Sequence, residues 1–281
     1  MRDTGGSKTA VGAALMRAVH QVLDPQPRWI EDPLAVGFVP GSSAEEIAAR
    51  REELNAEVWR YMRAEIIKRD RAAEKELESA VGDGIEQYIL LGAGFDTFPY
   101  RQPRWARSLS IIEVDHPTSQ ALKRRCLAAR ALAIPANVEL CPLDFEHQSL
   151  ETGLAKSRFD SGLPAYLSWL GVTPYLSRPA ITRVLRFVLS LPPSSRIVFS
   201  FCRPTTALDG AERAAMEQVE AFTDKRGEPL LTRFEVWEMM TWLEELGFTR
   251  SWIVDKETPP PAEPERSLPH ITFGKIVCAV V

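Results

Sequence analysis

The sequence is 281 residues long, with 45% hydrophobic residues, 26% charged residues and a formal net charge of -4. This composition excludes a largely disordered chain and predicts a sizeable buried interior, in one large domain or in a core with a helical subdomain. The acidic balance gives no support to nucleic acid as a partner, because a phosphate-binding surface carries an excess of basic residues.

Targeting signals and metal motifs are also missing from the sequence pattern. No apolar run approaches the ~20 residues of a membrane span, and the first residues do not form the unbroken apolar stretch of a secretory signal. The four cysteines are scattered, with no CxxC pair and no histidine at metal-ligand spacing. We therefore expect a cytoplasmic protein with reduced thiols, without a metal site and without a membrane partner.

The N-terminal third of the chain is predicted to be helical. Apolar residues recur at helical spacing between residues 11 and 22. Ser43 and Glu46 then have the spacing of a capping box, and they open a stretch without glycine or proline that lasts to Val81, as one long helix or as two. We assign residues 1–84 to a helical lid or extension.

The pattern changes in kind after Gly84. Short apolar runs bounded by turn residues now alternate with helical periodicity, which is typical of buried strands in a mostly parallel sheet with helices on both faces. The predicted strands cover residues 88–91, 109–114, 138–143, 166–170 and 196–201, and the clearest helices between them cover 119–131 and 179–191.

The end of the chain does not repeat this alternation. A helix is predicted over residues 234–246, and two further strands over 252–254 and 271–281 are joined by a proline-rich loop with no helical pattern. Such a pair indicates an antiparallel hairpin. The fold class is therefore α/β, a doubly wound, mostly parallel seven-stranded sheet ending in an antiparallel hairpin. Residues 85–281 form this Rossmann-like core, with an inserted cap expected at about 203–232.

A glycine loop follows the first predicted strand. Gly92 and Gly94, in a run that ends at Asp96, let the backbone turn sharply and approach a ligand without a Cβ clash. A dinucleotide fingerprint would place a third glycine at position 97, where this chain has Thr97. The loop, with Gly92, Gly94 and Asp96 as candidate cofactor contacts, therefore fits a cofactor without a pyrophosphate better than a dinucleotide. A purely structural turn is the alternative.

Acidic residues follow at the ends of the next two predicted strands. Glu113 and Asp115 lie ~20 residues beyond the glycine loop, where a carboxylate can accept both hydroxyls of a cofactor ribose. They point to the same side of a strand, so either residue fits that role, and a solvated strand end is the alternative. Asp144 closes the third strand, where its carboxylate fits either an adenine amine or the N-cap of the next segment. Because ligands bind at the carboxyl ends of such sheets, the series indicates a cofactor site.

Four longer motifs extend this pattern. They read QYILLGAGFDTFPYR at 87–101, IIEVDHP at 111–117, PLDFE at 142–146 and WLGVTPYLS at 169–177. Through them the chain resembles the leucine carboxyl methyltransferase family, including its bacterial branch involved in polyketide methylation, over nearly its whole length. The resemblance implies an S-adenosyl-L-methionine-dependent O-methyltransferase of secondary metabolism that acts on a carboxylate or hydroxyl of a small molecule.

The resemblance also assigns roles by position. It implies that Lys8 and Arg69 hold the methionyl carboxylate of the cofactor, with Arg71 as the alternative if the alignment shifts. It places Gly92 and Gly94 around the methionyl group. Cations at these positions make physical sense, because a carboxylate removed from water needs charged partners.

Other family positions concern the nucleoside and the acceptor. The resemblance makes Asp115 the ribose-binding residue and Asp144 the adenine-side residue, with Phe145 against the ring. It places Tyr175 near the methyl-transfer pocket, as the candidate catalytic residue. These four positions complete the predicted site.

One departure from the family stands out. At position 170 eukaryotic members carry a glutamate that contacts the cofactor, whereas this chain has Leu170. The methionyl ammonium then needs another acceptor, for which the Gly92 carbonyl is a candidate. The leucine also weakens any transfer of the eukaryotic substrate, a protein C-terminal carboxylate, to this chain.

Two other functions are compatible with part of the pattern. A nicotinamide-dependent oxidoreductase shares the strand-loop-helix unit, but Thr97 and the terminal hairpin argue against it. A non-catalytic family member that only binds the cofactor is the second alternative. An ionised carboxylate acceptor needs no general base, which suits a chain whose four histidines form no nucleophile–base motif.

Overall fold

The computed structural model describes residues 8–145, 147–254 and 268–281 of the chain. The strands are β1 (Gln87–Leu91), β2 (Ser110–Asp115), β3 (Val138–Pro142), β4 (Ala165–Trp169), β5 (Arg196–Cys202), β6 (Arg250–Ile253) and β7 (Gly274–Val280). Within the described residues they form one seven-stranded sheet in the order β3-β2-β1-β4-β5-β7-β6. Each predicted strand is confirmed, with its bounds shifted by a few residues.

Helices cover both faces of this sheet. They are α1 (Lys8–Leu23), α2 (Ala44–Ala49), α3 (Arg51–Leu54), α4 (Glu57–Gly82), α5 (Pro117–Ala129), α6 (Leu150–Leu154), α7 (Arg178–Leu189), α8 (Gly210–Lys225) and α9 (Val236–Leu246). None of the helices in the described ranges is long and apolar enough to cross a membrane.

The pairing of the strands confirms the predicted fold class. Strands β1 to β5 pair in parallel, and β7 pairs antiparallel to both β5 and β6. Every residue of β1 is buried, as expected for a parallel strand covered on both faces. The carboxyl ends of β1 to β5 consequently meet at one edge of the sheet, where the predicted site lies.

Alternate side chains of each strand enter two apolar clusters, one on each face. In β1, Ile89 and Leu91 pack in the cluster that includes residues of α6, α7 and α9. Tyr88 and Leu90 point the other way, into a cluster that includes residues of α4 such as Leu77. This period of two is the strand geometry, and it fixes which residues can reach the edge of the sheet.

The described residues before β1 contain helices and turns and no strand. The predicted capping box is confirmed at α2, because Ser43 Oγ accepts from the Glu46 amide and the Glu46 carboxylate accepts from the Ser43 amide. The prediction of one or two helices over this stretch is wrong, since it contains three. Arg63 explains the last break, because its Nη1 donates to the Leu54 carbonyl at 2.9 Å and so satisfies the end of α3. The domain division at residue 84 stays a prediction.

The segment predicted to be a cap, residues 203–232, contains α8 and a stretch that returns across the edge of the sheet. The backbone amides of Leu231 and Thr232 donate to the Pro174 carbonyl at 2.6 and 3.1 Å. The cap is therefore attached to the turn that follows β4, while its covering role stays a prediction. The predicted proline-rich loop between β6 and β7 lies largely outside the described residues.

Candidate cofactor site

The glycine loop joins the ends of β1 and β2. The amides of Gly92 and Ala93 donate to the Val114 carbonyl at 2.8 and 3.2 Å. Gly92 has a φ of +66°, and a Cβ at that position would lie 2.5 Å from Val172 Cγ2. Only glycine meets both conditions without strain. The glycine loop and the turn after β4 therefore lie close together. We call the narrow space between them the cradle.

Asp115, at the end of β2, faces this loop. Its carboxylate accepts hydrogen bonds from the backbone amide of Gly94 and, at 2.6 Å, from that of His116. Burial raises the pKa of Asp115, and these two amide donors counteract the rise because they stabilise the ionised form. The predicted proximity of the acid to the glycine loop is therefore present in the structure.

Glu113 lies on the same strand but inside the protein. Its carboxylate accepts from Lys123 Nζ at 2.7 Å and from the Tyr100 hydroxyl at 3.2 Å. The Glu113 side chain is 0% exposed and the Lys123 side chain is 1% exposed. Burial raises the pKa of Glu113, and the Lys123 ammonium counteracts that rise. Glu113 is thus enclosed by two side-chain partners, whereas Asp115 is held by two backbone amides at the end of the strand.

Asp144 and Phe145 follow β3 at the same edge of the sheet. Asp144 Oδ2 lies 2.8 Å from His147 Nδ1 and 3.9 Å from His116 Nε2. Phe145 packs half-buried against the apolar cluster on the α7 face. His116 caps α5 by accepting from the Thr118 amide, and its side chain is half-exposed.

Arg69 of α4 reaches the wall of the cradle formed by the turn after β4. A Cβ on Gly171, whose φ is +70°, would lie 2.7 Å from both terminal nitrogens of the Arg69 guanidinium. Arg69 Nε is buried and has no hydrogen-bond partner within the described part of the chain, and it lies 3.6 Å from Asp70 Oδ1. The guanidinium is therefore held at the site with an unsatisfied donor.

Three further residues that were predicted to contact the cofactor are Lys8, Arg71 and Asp96. Lys8 is the exposed first residue of α1. Arg71 donates from Nη1 to the Trp29 carbonyl, so its guanidinium is already engaged. Asp96 accepts from the Phe98 amide at 2.8 Å, and this bond shapes the loop from within.

Tyr175 lies in the 3-10 turn Thr173–Tyr175 after β4. Its hydroxyl is hydrogen-bonded to the side chain of Thr9, in the first turn of α1. Burial raises the pKa of Tyr175 to about 12, with the nearby Arg69 guanidinium acting in the opposite direction. The turn after β4 and the start of α1 are thereby joined beside Arg69.

The sequence did not reveal a set of polar contacts beneath the loop. Thr97 donates to Asp32, and Arg101 lies between Asp32 and Glu74, with Nε 3.6 Å from Asp32 Oδ2. The hydroxyl of Thr97 therefore has a structural role that a glycine at this position could not supply. A second pair joins α1 to α4, where Arg17 Nη1 lies 3.2 Å from Asp70 Oδ2. Each of the five charged residues in these contacts is far in the sequence from its partner, so only the tertiary fold shows them together.

Among the residues that the structure describes, no group of His, Cys, Asp and Glu side chains could hold a metal ion. The strand order defines an α/β protein, and the glycine loop and the acidic residues lie at the carboxyl edge of its sheet, where such folds bind ligands. The polar groups at this edge are carboxylate acceptors, two backbone turns and one guanidinium with an unsatisfied donor. This set suits a cofactor with ribose hydroxyls and a carboxylate.

Comparison with known proteins gives the family. The chain matches the leucine carboxyl methyltransferase family over residues 10–189. Two similar proteins are both named as candidate S-adenosyl-L-methionine-dependent methyltransferases. YktD of Bacillus subtilis is 33% identical over 62% of this chain and 57% of its own length. A protein of Mycobacterium avium is 29% identical over 79% of this chain and 74% of its own length.

Solved structures share the fold at low sequence identity. The S-adenosylmethionine-dependent methyltransferase SibL in its apo form has a TM-score of 0.52 and 15% identity, covering 98% of this chain and 70% of that chain. A DUF574 family protein from Streptomyces avermitilis has a TM-score of 0.59 and 15% identity, covering 96% of each chain. At these identities the likeness concerns the fold alone.

This chain belongs to the leucine carboxyl methyltransferase family. It is an S-adenosylmethionine-dependent methyltransferase, and S-adenosyl-L-methionine is its cofactor. The predicted family and cofactor are thus confirmed. The alternative of a nicotinamide-dependent oxidoreductase receives no support from the family match or from these relatives.

Proposed function

We propose that this enzyme is an O-methyltransferase of a small-molecule carboxylate or hydroxyl, with its cofactor across the carboxyl ends of β1, β2 and β4. The observation that carries this placement is Arg69, whose buried Nε has no hydrogen-bond partner in the described ranges. Asp70 Oδ1 offers this donor an ion pair at 3.6 Å but no hydrogen bond. Because burying a charged donor without a hydrogen bond is costly, an anionic ligand that bonds to the guanidinium is favoured here. The methionyl carboxylate is the anionic group of the cofactor.

The remaining cofactor contacts follow from the residues around the cradle. Asp115 is proposed to accept the ribose hydroxyls, since its carboxylate faces the loop while that of Glu113 is enclosed. Lys8 is proposed as the second cation for the methionyl carboxylate. Asp144 and Phe145 are proposed to contact the adenine amine and ring, at the end of the neighbouring strand.

The methionyl ammonium is proposed to meet the carbonyl of Gly92. Leu170 cannot supply the acidic contact that eukaryotic family members have, and it packs against the apolar cluster on the α4 face. The narrow approach of Gly92 to Val172 leaves backbone as the polar surface of the loop. A carbonyl acceptor there would leave the site with one fewer negative charge than a glutamate would provide.

The chain's own residues would align the acceptor and exclude water, which is the main requirement of an in-line displacement. S-adenosylmethionine supplies a methyl group already activated by its sulfonium. Tyr175 stays protonated near neutral pH, because its pKa is raised to about 12, so it can donate to an acceptor oxygen but cannot take a proton from it. A carboxylate acceptor is already ionised, and the site therefore supports this class better than an alcohol.

Replacing Arg69 by methionine is expected to weaken the binding of S-adenosylhomocysteine about 20-fold, because a charge-assisted hydrogen bond to the methionyl carboxylate is lost. Arg71→Met is the matched control on the same helix. Since Arg71 donates to the Trp29 carbonyl, this variant is expected to keep the affinity of the native chain. Isothermal titration calorimetry measures both. A larger loss of affinity in Arg71→Met than in Arg69→Met would indicate that Arg71, and not Arg69, contacts the methionyl carboxylate.

The acceptor class predicts the pH profile of methyl transfer. A cell-extract screen with radiolabelled cofactor first identifies a labelled acceptor. For a carboxylate, kcat/KM is expected to be level between about pH 7 and pH 9, because the acceptor is ionised and Tyr175 remains protonated throughout. Tyr175→Phe should lower kcat about fivefold without changing this profile, through one lost hydrogen bond. A tenfold rise in rate per pH unit would instead indicate a hydroxyl acceptor that must lose its proton.

A further inference from the structure

A carboxylate of the cap binds the start of α1. Glu228 Oε1 accepts from the backbone amide of Lys8 at 3.2 Å, and Oε2 accepts from that of Thr9 at 3.0 Å. The first amides of a helix have no partner within the helix, and its N-terminus carries partial positive charge. Glu228 therefore fixes the first turn of a 16-residue helix from a distant part of the chain.

The backbone of Glu228 is itself held by the end of α8. Gly227 has a φ of +75°, its amide donates to the Asp224 carbonyl at 3.0 Å, and the Glu228 amide donates to the Thr223 carbonyl at 3.0 Å. This pair of bonds is the Schellman motif that ends many helices. The Schellman motif thus fixes the backbone of Glu228, and this backbone fixes the point from which the side chain reaches α1.

The residues that follow are attached to the turn after β4. The Leu231 and Thr232 amides donate to the Pro174 carbonyl, and Thr232 Oγ1 donates to the Thr173 carbonyl at 2.9 Å. We call residues 228–232 the strap. It connects the end of α8, the first turn of α1 and the turn that carries Tyr175.

We propose that Glu228 is a positioning residue for the cofactor, which acts by holding the first turn of α1 so that Lys8 stays beside the turn of Tyr175. The inference rests on the proposed function, in which Lys8 holds the methionyl carboxylate. Holding Lys8 in advance reduces the conformational freedom that binding would otherwise remove. The hydrogen bond between Thr9 and Tyr175 closes the same arrangement from the other side.

The test compares the affinity for S-adenosylhomocysteine by calorimetry at 25 °C. Glu228→Ala is expected to bind about tenfold more weakly, since it loses both amide contacts and the charge at the helix start. Glu228→Gln, which keeps one acceptor, should lose about threefold. The control is Glu217→Ala, an exposed residue of α8 that is expected to bind like the native chain. Equal affinity or tighter binding in Glu228→Ala would overturn the proposal.

A double-mutant cycle with Lys8→Met separates positioning from a general structural effect. If Glu228 acts through Lys8, adding Glu228→Ala to Lys8→Met should change the affinity by less than about twofold. The same tenfold loss in both backgrounds would overturn the inference. If Lys8→Met loses affinity and Glu228→Ala does not, the positioning role of Glu228 is overturned and the proposed Lys8 contact stands. Native affinity in Lys8→Met overturns the proposed Lys8 contact, and the inference with it.

Discussion

Lys123→Met is expected to lower the free energy of unfolding by about 3–5 kcal/mol, because it breaks a buried ion pair by removing one partner. Lys123 Nζ lies 2.7 Å from Glu113 Oε1, and both side chains are shielded from water. Methionine keeps most of the apolar stem of the lysine and removes the ammonium, which lies 5.2 Å from the centroid of the Tyr100 ring. The loss therefore reports the uncompensated Glu113 carboxylate and not a cavity.

The stability deficit of Lys123→Met should also depend on pH. Burial already raises the pKa of Glu113, and without the counteracting ammonium of Lys123 the rise is larger. The Glu113 carboxyl of the folded variant then binds its proton more tightly than that of the unfolded variant. The free energy of unfolding of the variant therefore falls as the pH rises from the unfolded-state pKa of Glu113 to its folded-state pKa. Urea titrations are expected to show a larger deficit at about pH 8 than at about pH 5.

A second variant identifies the cause of that deficit. Adding Glu113→Gln to Lys123→Met removes the buried charge and keeps an acceptor for the Tyr100 hydroxyl. This double variant is expected to recover at least half of the lost stability. The exposed pair of Arg50 and Glu53 is the control, and Glu53→Gln should leave the urea midpoint unchanged. A double variant as unstable as Lys123→Met would show that the charge is not the cause.

Asp115→Ala is expected to weaken the binding of S-adenosylhomocysteine on the order of 100-fold. Two charge-assisted hydrogen bonds to the ribose hydroxyls are lost, each worth about 1.5–3 kcal/mol before any relaxation. The carboxylate also orders the loop, because it accepts from the Gly94 amide. Calorimetry of the native chain and the variant under one buffer condition measures the ratio of dissociation constants.

The control for Asp115→Ala is Asp160→Ala, which removes a carboxylate at the opposite edge of the sheet. Asp160 precedes β4 and accepts from the Gly162 amide at 2.8 Å. This variant should bind the cofactor product like the native chain. Unchanged affinity in Asp115→Ala would transfer the ribose contact to Glu113, and Glu113→Gln would then be the variant that loses affinity.

The strands were predictable because burial on both faces gives each of them a continuous apolar run. Residues 88–91 illustrate this, since all four are buried in β1. The break between α3 and α4 was not predictable, because neither glycine nor proline marks it. It depends on Arg63 of α4, whose guanidinium donates to the Leu54 carbonyl. Local sequence carries the first kind of information and tertiary contacts carry the second.

The same division applies to the site. The glycine loop and Asp115 were found together because parallel strands bring their carboxyl ends to one edge, so spacing along the chain was enough. The contact of Arg69 with Gly171 depends on how α4 packs against a strand about a hundred residues later. The bond between Glu228 and the start of α1 joins even more distant segments. No sequence motif marks either contact.

The position of β7 also bears on how this fold is reached. The cap and β6 lie between β5 and β7 in the sequence, yet β5 and β7 are neighbours in the sheet, where Cys202 pairs with Gly274. Until β7 is in place, one edge of β5 therefore exposes unpaired amides and carbonyls beside apolar side chains, which is a template for self-association. Contacts of such large sequence separation also form slowly. Refolding yields should accordingly fall as protein concentration rises, with the edge of β5 as the surface through which aggregates begin.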